Sequence, residues 1–410
     1  MKDKPRIDFY QTIPQFWADL YEEPYALYDA TCITRKQKEK LQEATRCVGQ
    51  IFFKVADLLR RLDDETLLAM SYPKEALLFL KLTSSLPESV IARLDFIPCG
   101  DSFKVIELNA DTPTFIKELF SVNKQVCDHF GIQDVNAGEE AKLQQAIRFA
   151  IERARQDSKK EDPYVVFTSH EHIEDQFTTM YLQQLYGKPS RFVLLKNLQI
   201  VEHDGLYDEH GKKIDILYRQ TFPIECLLLD HDEAGAPIGE MLLSLVEERR
   251  LQLINPPSAF LLQNKAVQAV IWGLYEEQNP FFTEEEHMWI AEYFLPTYLE
   301  EDLFLDNGIS YVKKPVFGRE GDTVEIYNEN GEKELEDTYR SYEQYGFVYQ
   351  KYIALPIIEA NVNGKREMVH QMYGSFLING VESSIGCRVG GKITNNLSYY
   401  LPVGIKKDEV

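Results

Sequence analysis

Asp95, Glu107 and Asn109 are the first residues whose types and spacing could do chemistry. A hard cation such as Mg²⁺ takes oxygen ligands, usually one or two carboxylates, with phosphates and water completing the shell. Glu107 and Asn109 are two apart, so on a strand both point to one face. The competing reading is a set of solvated strand residues, because an isolated Glu-x-Asn triplet carries little information. Downstream, Glu-Leu-Asn-Ala-Asp-Thr-Pro-Thr (107 to 114) runs from a strand end into a polar loop, the place where α/β folds bind ligands. Thr112 and Thr114 supply hydroxyls there, for a substrate or for a helix N-cap.

Cations that could meet phosphate follow much later. Lys314 lies near the end of the run Tyr-Val-Lys-Lys-Pro-Val-Phe, and Gly318-Arg319-Glu320-Gly321 comes after it. A lysine meets phosphate oxygens as a point charge, and a glycine-bounded loop offers backbone amides as a flexible cover. No Walker A pattern is present, and a charged hairpin turn is the alternative. Asn264-Lys265 opens a helical stretch and Gln350-Lys351-Tyr352 lies on a strand; a solvated lysine and an edge strand explain each in isolation. Arg388 stands beside Gly386, Gly390 and Gly391, where its five donors could face a phosphoryl group or form a structural ion pair. No Ser/His/Asp or Cys/His nucleophile set is recognisable.

These residues need strands and loops to place them. The segments at 91–98 and 102–110 read as strands joined across Cys99-Gly100-Asp101, a connection suited to an antiparallel pair. Before them, Val48, Ile51, Phe52, Val55, Leu58 and Leu59 recur at helical spacing, so residues 1–90 are expected to be a mainly helical region. A helix at 139–155, a buried strand at 164–169 and a second helix after it predict an α/β metal- and substrate-binding region over 91–250. Pro256 and Pro257 are expected to break a preceding helix and open a third unit, 251–410, rich in strands. There Asn330-Gly331 and Asn379-Gly380 predict hairpin turns, because both positions of a type I′ turn need positive φ.

Composition narrows the partners. The chain has 410 residues and a net charge of −22, which disfavours nucleic acid and anionic membrane surfaces. No long apolar run or secretory signal is visible, so a cytoplasmic location without membrane attachment is the expectation. The cysteines have no metal-site spacing and are expected to be buried free thiols.

Taken together, Asp-x11-Glu-x-Asn-x-Asp-Thr, Asn-Lys, Lys-Pro-x-x-Gly-Arg-x-Gly, Tyr-Gln-x-Tyr and Gly-Cys-Arg, in that order, resemble the synthetase domain of glutathionylspermidine synthetases. The likeness spans roughly residues 80 to 405 and is strongest at VIELNADTPT, INPPSAFLLQNKA, YVKKPVFGREG and VYQKYIALP. It implies an α+β, ATP-grasp-like fold with nucleotide held between two α+β lobes, beside an α/β substrate-binding region. The activity implied is ATP- and Mg²⁺-dependent amide formation through an acyl phosphate, from a glutathione-like peptide carboxylate and a polyamine-like amine.

The same resemblance implies Asp95, Glu107 and Asn109 for Mg²⁺, and Lys265, Lys314, Arg319, Gln350 and Tyr352 for nucleotide. It further implies Arg388 facing the transferred phosphoryl group, Arg93 near the reacting carboxylate, and Thr112, Thr114, Glu174 and Asp175 toward substrate. Tyr218-Arg219-Gln220-Thr221 aligns loosely. The stretch before residue 80 is too short for the amidase that often accompanies this synthetase, so a ligase without its hydrolase is implied. A ligase for a different amino acid or peptide and amine, and a nucleotide-binding regulatory protein without turnover, stay open as alternatives.

Overall fold

In the computed structural model, which describes residues 4–406, the expected strand pair forms. Ile91–Cys99 and Ser102–Asn109 run antiparallel, with Asp95 opposite Glu107 and Arg93 opposite Asn109. Directly opposed residues share a face, so the metal-type triad and Arg93 project together.

This hairpin does not end at its own loop. Lys365–Ile378 pairs with Ile91–Cys99 and with Val381–Gly390, making one antiparallel sheet from segments almost three hundred residues apart. The division drawn at 250 therefore crosses a single hydrogen-bonded sheet. Gly374 lies opposite both Asp95 and Gly386, and Arg388 lies opposite Met372. Counting by twos along these strands puts Arg388 on the face that carries Asp95. The turn at Asn379-Gly380 has φ values of 50° and 78°, as the type I′ geometry requires.

The other face of the sheet is covered by the helix Arg35–Leu59. It starts with a capping box between Thr34 and Gln37 and buries Val48, Ile51, Phe52 and Val55. Thr45 Oγ1 donates to Ser375 Oγ at 2.7 Å, which fixes the helix on the sheet through a buried hydroxyl pair. The first ninety residues also hold a short hairpin, Asp19–Leu20 with Glu23–Pro24, among their helices.

A parallel sheet orders Gln252–Ile254, Ile216–Gln220, Val165–Ser169 and Arg191–Leu194. Its two central strands are buried along their whole length, as parallel strands covered on both faces must be. Glu139–Ser158 and Ile173–Tyr186 supply helical cover. Here the proline expectation is corrected. A strand, Gln252–Ile254, separates the preceding helix from the prolines, and Pro257 sits at the first position of a new helix, Pro257–Gln263. Proline suits that position because the first amide has no intrahelical acceptor.

A second antiparallel sheet orders Thr297–Tyr298, Phe347–Lys351, Tyr311–Pro315, Glu325–Tyr327 and Lys333–Glu336. Among the described residues no helix is long and apolar enough to cross a membrane. All the cysteines are free, but only Cys47, Cys127 and Cys387 are buried; Cys32 and Cys99 are exposed because each lies at a strand edge or end.

The two sheets that build the hairpin side and the parallel side meet at Asn255. Its Oδ1 accepts from Val90 N at 2.8 Å and Ile91 N at 3.1 Å, while Nδ2 donates to the carbonyls of Ile91, Ala110 and Asp111 at 3.0, 3.1 and 2.7 Å. The residue is 3% exposed, so water cannot substitute for these bonds. Asn255→Ala is expected to destabilise the fold by about 2–4 kcal/mol. The measurement is the denaturant midpoint, and Asn255→Asp, which keeps the acceptor and loses the donors, is expected to lose much of the same stability.

Candidate functional site

Between the antiparallel sheets lies a cleft of ≈ 1520 Å³, counted to its open mouth. Of the residues singled out in the sequence, Arg93, Asp95, Glu107, Asn109, Thr112 and Thr114 line it from the hairpin side. Lys265, Lys314, Arg319, Gln350 and Tyr352 line the opposite side, and Arg388 and Glu174 complete the wall. Asp175 is buried behind Glu174 and does not reach the cleft surface.

The carboxylate side is built on a bulge. The register shifts between Asp95 and Phe96, so that Glu107 pairs with Asp95 and Val105 with Phe96, leaving Ile106 unpaired. The freed Ile106 carbonyl accepts from Lys314 Nζ at 2.7 Å and from Gln268 Nε2 at 3.1 Å. A backbone irregularity thus becomes the anchor for the site's most buried lysine. Asn109 Nδ2 donates to Glu107 Oε1 at 3.1 Å and lies 3.4 Å from Asp95 Oδ2. Both Asp95 oxygens accept from Arg93, at 2.7 and 2.9 Å, and a second Arg93 branch reaches the Thr114 carbonyl at 3.0 Å. Thr112 and Thr114 do not cap a helix; their carbonyls instead accept from Gln220 and Arg93.

Charge balance sets the protonation states. Burial alone raises the Glu107 carboxyl, but Lys265 and Lys314 overcome it and hold Glu107 well below the usual carboxylate range. Lys265 Nζ stands 3.4 Å from Glu107 Oε2 and donates to the Gly318 carbonyl at 2.8 Å. Burial raises Asp95 despite its bidentate partner Arg93. Burial also lowers Lys314 from its ordinary 10.5 to about 7, with Glu107 opposing and Lys265 reinforcing the shift. The Gln350 side chain is 2% exposed and orients this lysine: its Oε1 accepts from Lys314 at 2.8 Å while its amide donates to Gln268 and Thr297. Arg388 Nη2 donates to the Asn395 carbonyl at 3.0 Å, tying it to the loop that follows its strand.

Arg319 sits among acids. Burial lowers its guanidinium, yet Glu320 and Asp175 outweigh that and raise it. Its loop is less free than two glycines suggest. The Asp322 carboxylate accepts from Ser341 N at 3.0 Å, and Thr323 Oγ1 accepts from Tyr342 N at 3.1 Å, so Asp322-Thr323 is bolted to residues 339–342. Gly321 has a φ of +71°, and a Cβ there would come within 2.6 Å of the Thr394 carbonyl. The two loops therefore touch, and glycine is needed on both counts.

Several residues escaped the sequence reading. Glu118 is wholly buried; its Oε1 accepts from Tyr25 OH at 2.6 Å and its Oε2 has no hydrogen-bond partner among the described residues. Burial raises it, and burial with the Glu118 and Asp175 charges raises Glu174 well above the ordinary range. An acid among Phe115, Ile116, Leu119 and Phe120 was the available signal. Tyr21 and Tyr25, from the N-terminal region, and Lys392 and Asn396, after Arg388, also line the cleft. Arg219, which aligned only loosely, is a buried tie, paired with Asp111.

The donor set fits a hard cation in part. Glu107, Asn109 and Asp95 offer two carboxylates and an amide, but Asp95 is already engaged by Arg93. No group of three or more His, Cys, Asp or Glu residues able to hold an ion occurs among the described residues, so phosphate oxygens or water would complete a Mg²⁺ shell.

Lys314 provides a direct test of this charge balance. Between pH about 7 and 10.5 the unfolded chain keeps a proton that folded Lys314 has released, so its contribution to stability rises with pH across that window. Lysine-selective ¹⁵N NMR is expected to find the Lys314 midpoint near 7. Glu107→Gln, which removes the facing negative charge, is expected to push that midpoint lower.

Comparisons with known proteins agree with this architecture. The family model described as glutathionylspermidine synthase preATP-grasp matches residues 7–406. A protein of Haemophilus influenzae described as "Putative acid--amine ligase" is 27% identical over 324 residues, covering 76% of this chain and 73% of that protein. The apo structure of the glutathione synthetase-like effector GSS30 from Globodera pallida superposes with a TM-score of 0.60 at 12% identity, over 99% of this chain and 96% of that one. At that identity the likeness is one of fold, and it bears out the α+β, ATP-grasp-like expectation. Because the family match runs over almost the whole chain, the protein belongs to the glutathionylspermidine synthase preATP-grasp family.

Proposed function

We propose that this chain is an ATP- and Mg²⁺-dependent acid–amine ligase, joining a glutathione-like peptide carboxylate to a polyamine-like amine through an acyl phosphate. The observation that carries the reading is the convergence, in one cleft, of Lys265, Lys314, Arg93 and Arg388 with the Glu107–Asn109 face. Family membership and the name of the Haemophilus influenzae relative support the ligase class.

In this reading a substrate carboxylate oxygen attacks the γ-phosphorus of ATP. The bond to the β–γ bridging oxygen breaks, ADP leaves and an acyl phosphate forms. The amine nitrogen then attacks the acyl carbon, the carbon–oxygen bond to phosphate breaks, and the nitrogen sheds a proton to give the amide. Lys265, Lys314 and Arg388 counter the charge on the transferring oxygens, which is mostly a matter of positioning and electrostatics. Arg93 orients the reacting carboxylate from its fixed place on Asp95. Glu107 and Asn109, with Asp95 beside them, would hold Mg²⁺, which neutralises phosphate charge when bound. Glu174, raised by burial and its acidic neighbours, lines the same cleft. Thr112 and Thr114 border the carboxylate end, and Gln350 and Tyr352 the nucleotide end.

ADP release over a matrix of carboxylates and amines tests the ligase class, and the expected result is release that requires one of each; ATP binding without release under any pair would leave a nucleotide-binding protein instead. With a productive pair in hand, Arg388→Lys is expected to keep ATP affinity within a few-fold and to lower turnover by about two to three orders of magnitude, since lysine lacks the planar fork. Parallel loss of binding and turnover would make Arg388 a ground-state residue. Nucleotide phosphates should raise Lys314 from about 7, so calorimetry of Mg-ATP binding at pH 8 in buffers of different ionisation enthalpy is expected to show net proton uptake, abolished in Lys314→Met.

A further inference from the structure

The hairpin Asp19–Leu20 with Glu23–Pro24 turns over two residues, Tyr21 and Glu22, with φ values of 53° and 64°. Consecutive positive φ values are the province of Asn-Gly and similar pairs, and each costs an ordinary L-residue about 1–2 kcal/mol. Such a conformation persists only where the surroundings impose it. Here they do. Arg6 pairs with Asp19 and donates to the carbonyls of Ala18 and Ala26 at 2.8 and 3.2 Å, and the amides of Tyr25 and Ala26 both donate to Ala18 O at 2.9 and 3.0 Å. Leu20 and Tyr25, on either side of the turn, are buried.

The strained tip delivers one side chain to the cleft. Tyr21 lines it together with Leu20, Tyr25, Glu174 and Glu320. Its ring stacks on His172 with centroids 5.6 Å apart and planes 26° from parallel, yet it remains 52% exposed, so much of its surface is open. Glu174 and Glu320 flank it in the cleft wall together with Arg319, and behind Tyr25 the buried Glu118 Oε2 has no hydrogen-bond partner among the described residues. An electron-rich ring beside the acidic side chains Glu174 and Glu320 attracts ammonium groups by its quadrupole and excludes water from them.

We propose that Tyr21 is a specificity-determining residue for the amine substrate, roofing the acidic end of the cleft and binding an ammonium group through its ring. The inference rests on the acid–amine ligase reading for the identity of the site, and adds the aromatic contact and the class of ligand it selects, an alkylammonium rather than a neutral amide or alcohol. The backbone strain is the means by which a rigid hairpin aims that ring.

The test is calorimetric and uses the whole chain with spermidine as probe. Wild type is expected to bind spermidine, Tyr21→Leu to bind it about 3- to 30-fold more weakly, the range of a cation–π contact, and Tyr21→Phe to stay close to wild type. Mg-ATP affinity in all three proteins is expected to be equal, which a general structural defect would not allow. Equal spermidine affinity in wild type and Tyr21→Leu, no spermidine binding by wild type, or equal loss in Tyr21→Leu and Tyr21→Phe would each overturn the proposal. Because binding is read without turnover, failure of the ligase reading appears separately, as absence of ADP release.

Discussion

Two buried carboxamides hold the peptide units of Ala110 and Asp111 from both sides, and the site depends on them. Gln263 Oε1 accepts from both amides, at 2.8 and 3.1 Å, while Asn255 Nδ2 donates to both carbonyls. A chain leaving a strand end inside a protein exposes backbone groups that water cannot reach, and each must find a partner. Here side chains from a strand end and a helix supply them all. Asp111 itself accepts from Arg219 and from Ile224 N at 3.2 Å, and Gln220 donates to the Pro113 carbonyl at 3.0 Å. The loop that follows Glu107 and Asn109 is therefore fixed to the parallel sheet, and the Asn109 carboxamide and the Glu107 carboxylate, two and four residues upstream of Asp111, inherit that rigidity.

On this frame the cleft stores opposed charges at close quarters. Removing several lysines, arginines and carboxylates from water is costly, and mutual attraction repays it only where every donor has an acceptor. The bulge at Ile106 shows how the balance is kept, since its freed carbonyl and the Gln350 amide oxygen together hold Lys314. Gln350 in turn is fixed by Gln268 and Thr297. Preorganised cations of this kind need little rearrangement when charge arrives, which is what electrostatic stabilisation of a transferring group requires.

The parts that border the cleft are tethered in pairs. Asp322-Thr323 is tied to residues 339–342, Gly321 meets Thr394, and Arg388 meets the Asn395 carbonyl. Any opening of the glycine loop must carry residues 339–342 with it. At the other end, the strained hairpin at Tyr21-Glu22 is pinned through Arg6.

Periodicity, turn residues and motif order determined the local elements. The hairpin carrying Asp95 and Glu107, the helix Arg35–Leu59 and the Asn379-Gly380 turn were legible because their causes lie within a few residues of chain. The family, too, was legible, since its motifs are short blocks in a set order. What the tertiary structure alone decided were the relations between distant segments. Nothing local told that Lys365–Ile378 would pair with Ile91–Cys99 and bring Arg388 onto the face of Asp95. Nor could it tell that Gln350 would be buried as a support for Lys314, that Tyr21, from outside every motif, would border the cleft, or that Glu118 would be buried behind Tyr25. The pairing of strands across hundreds of residues, and the partners that buried polar groups find, depend on the fold as a whole, because burial is a property of the packed chain and not of any segment in it.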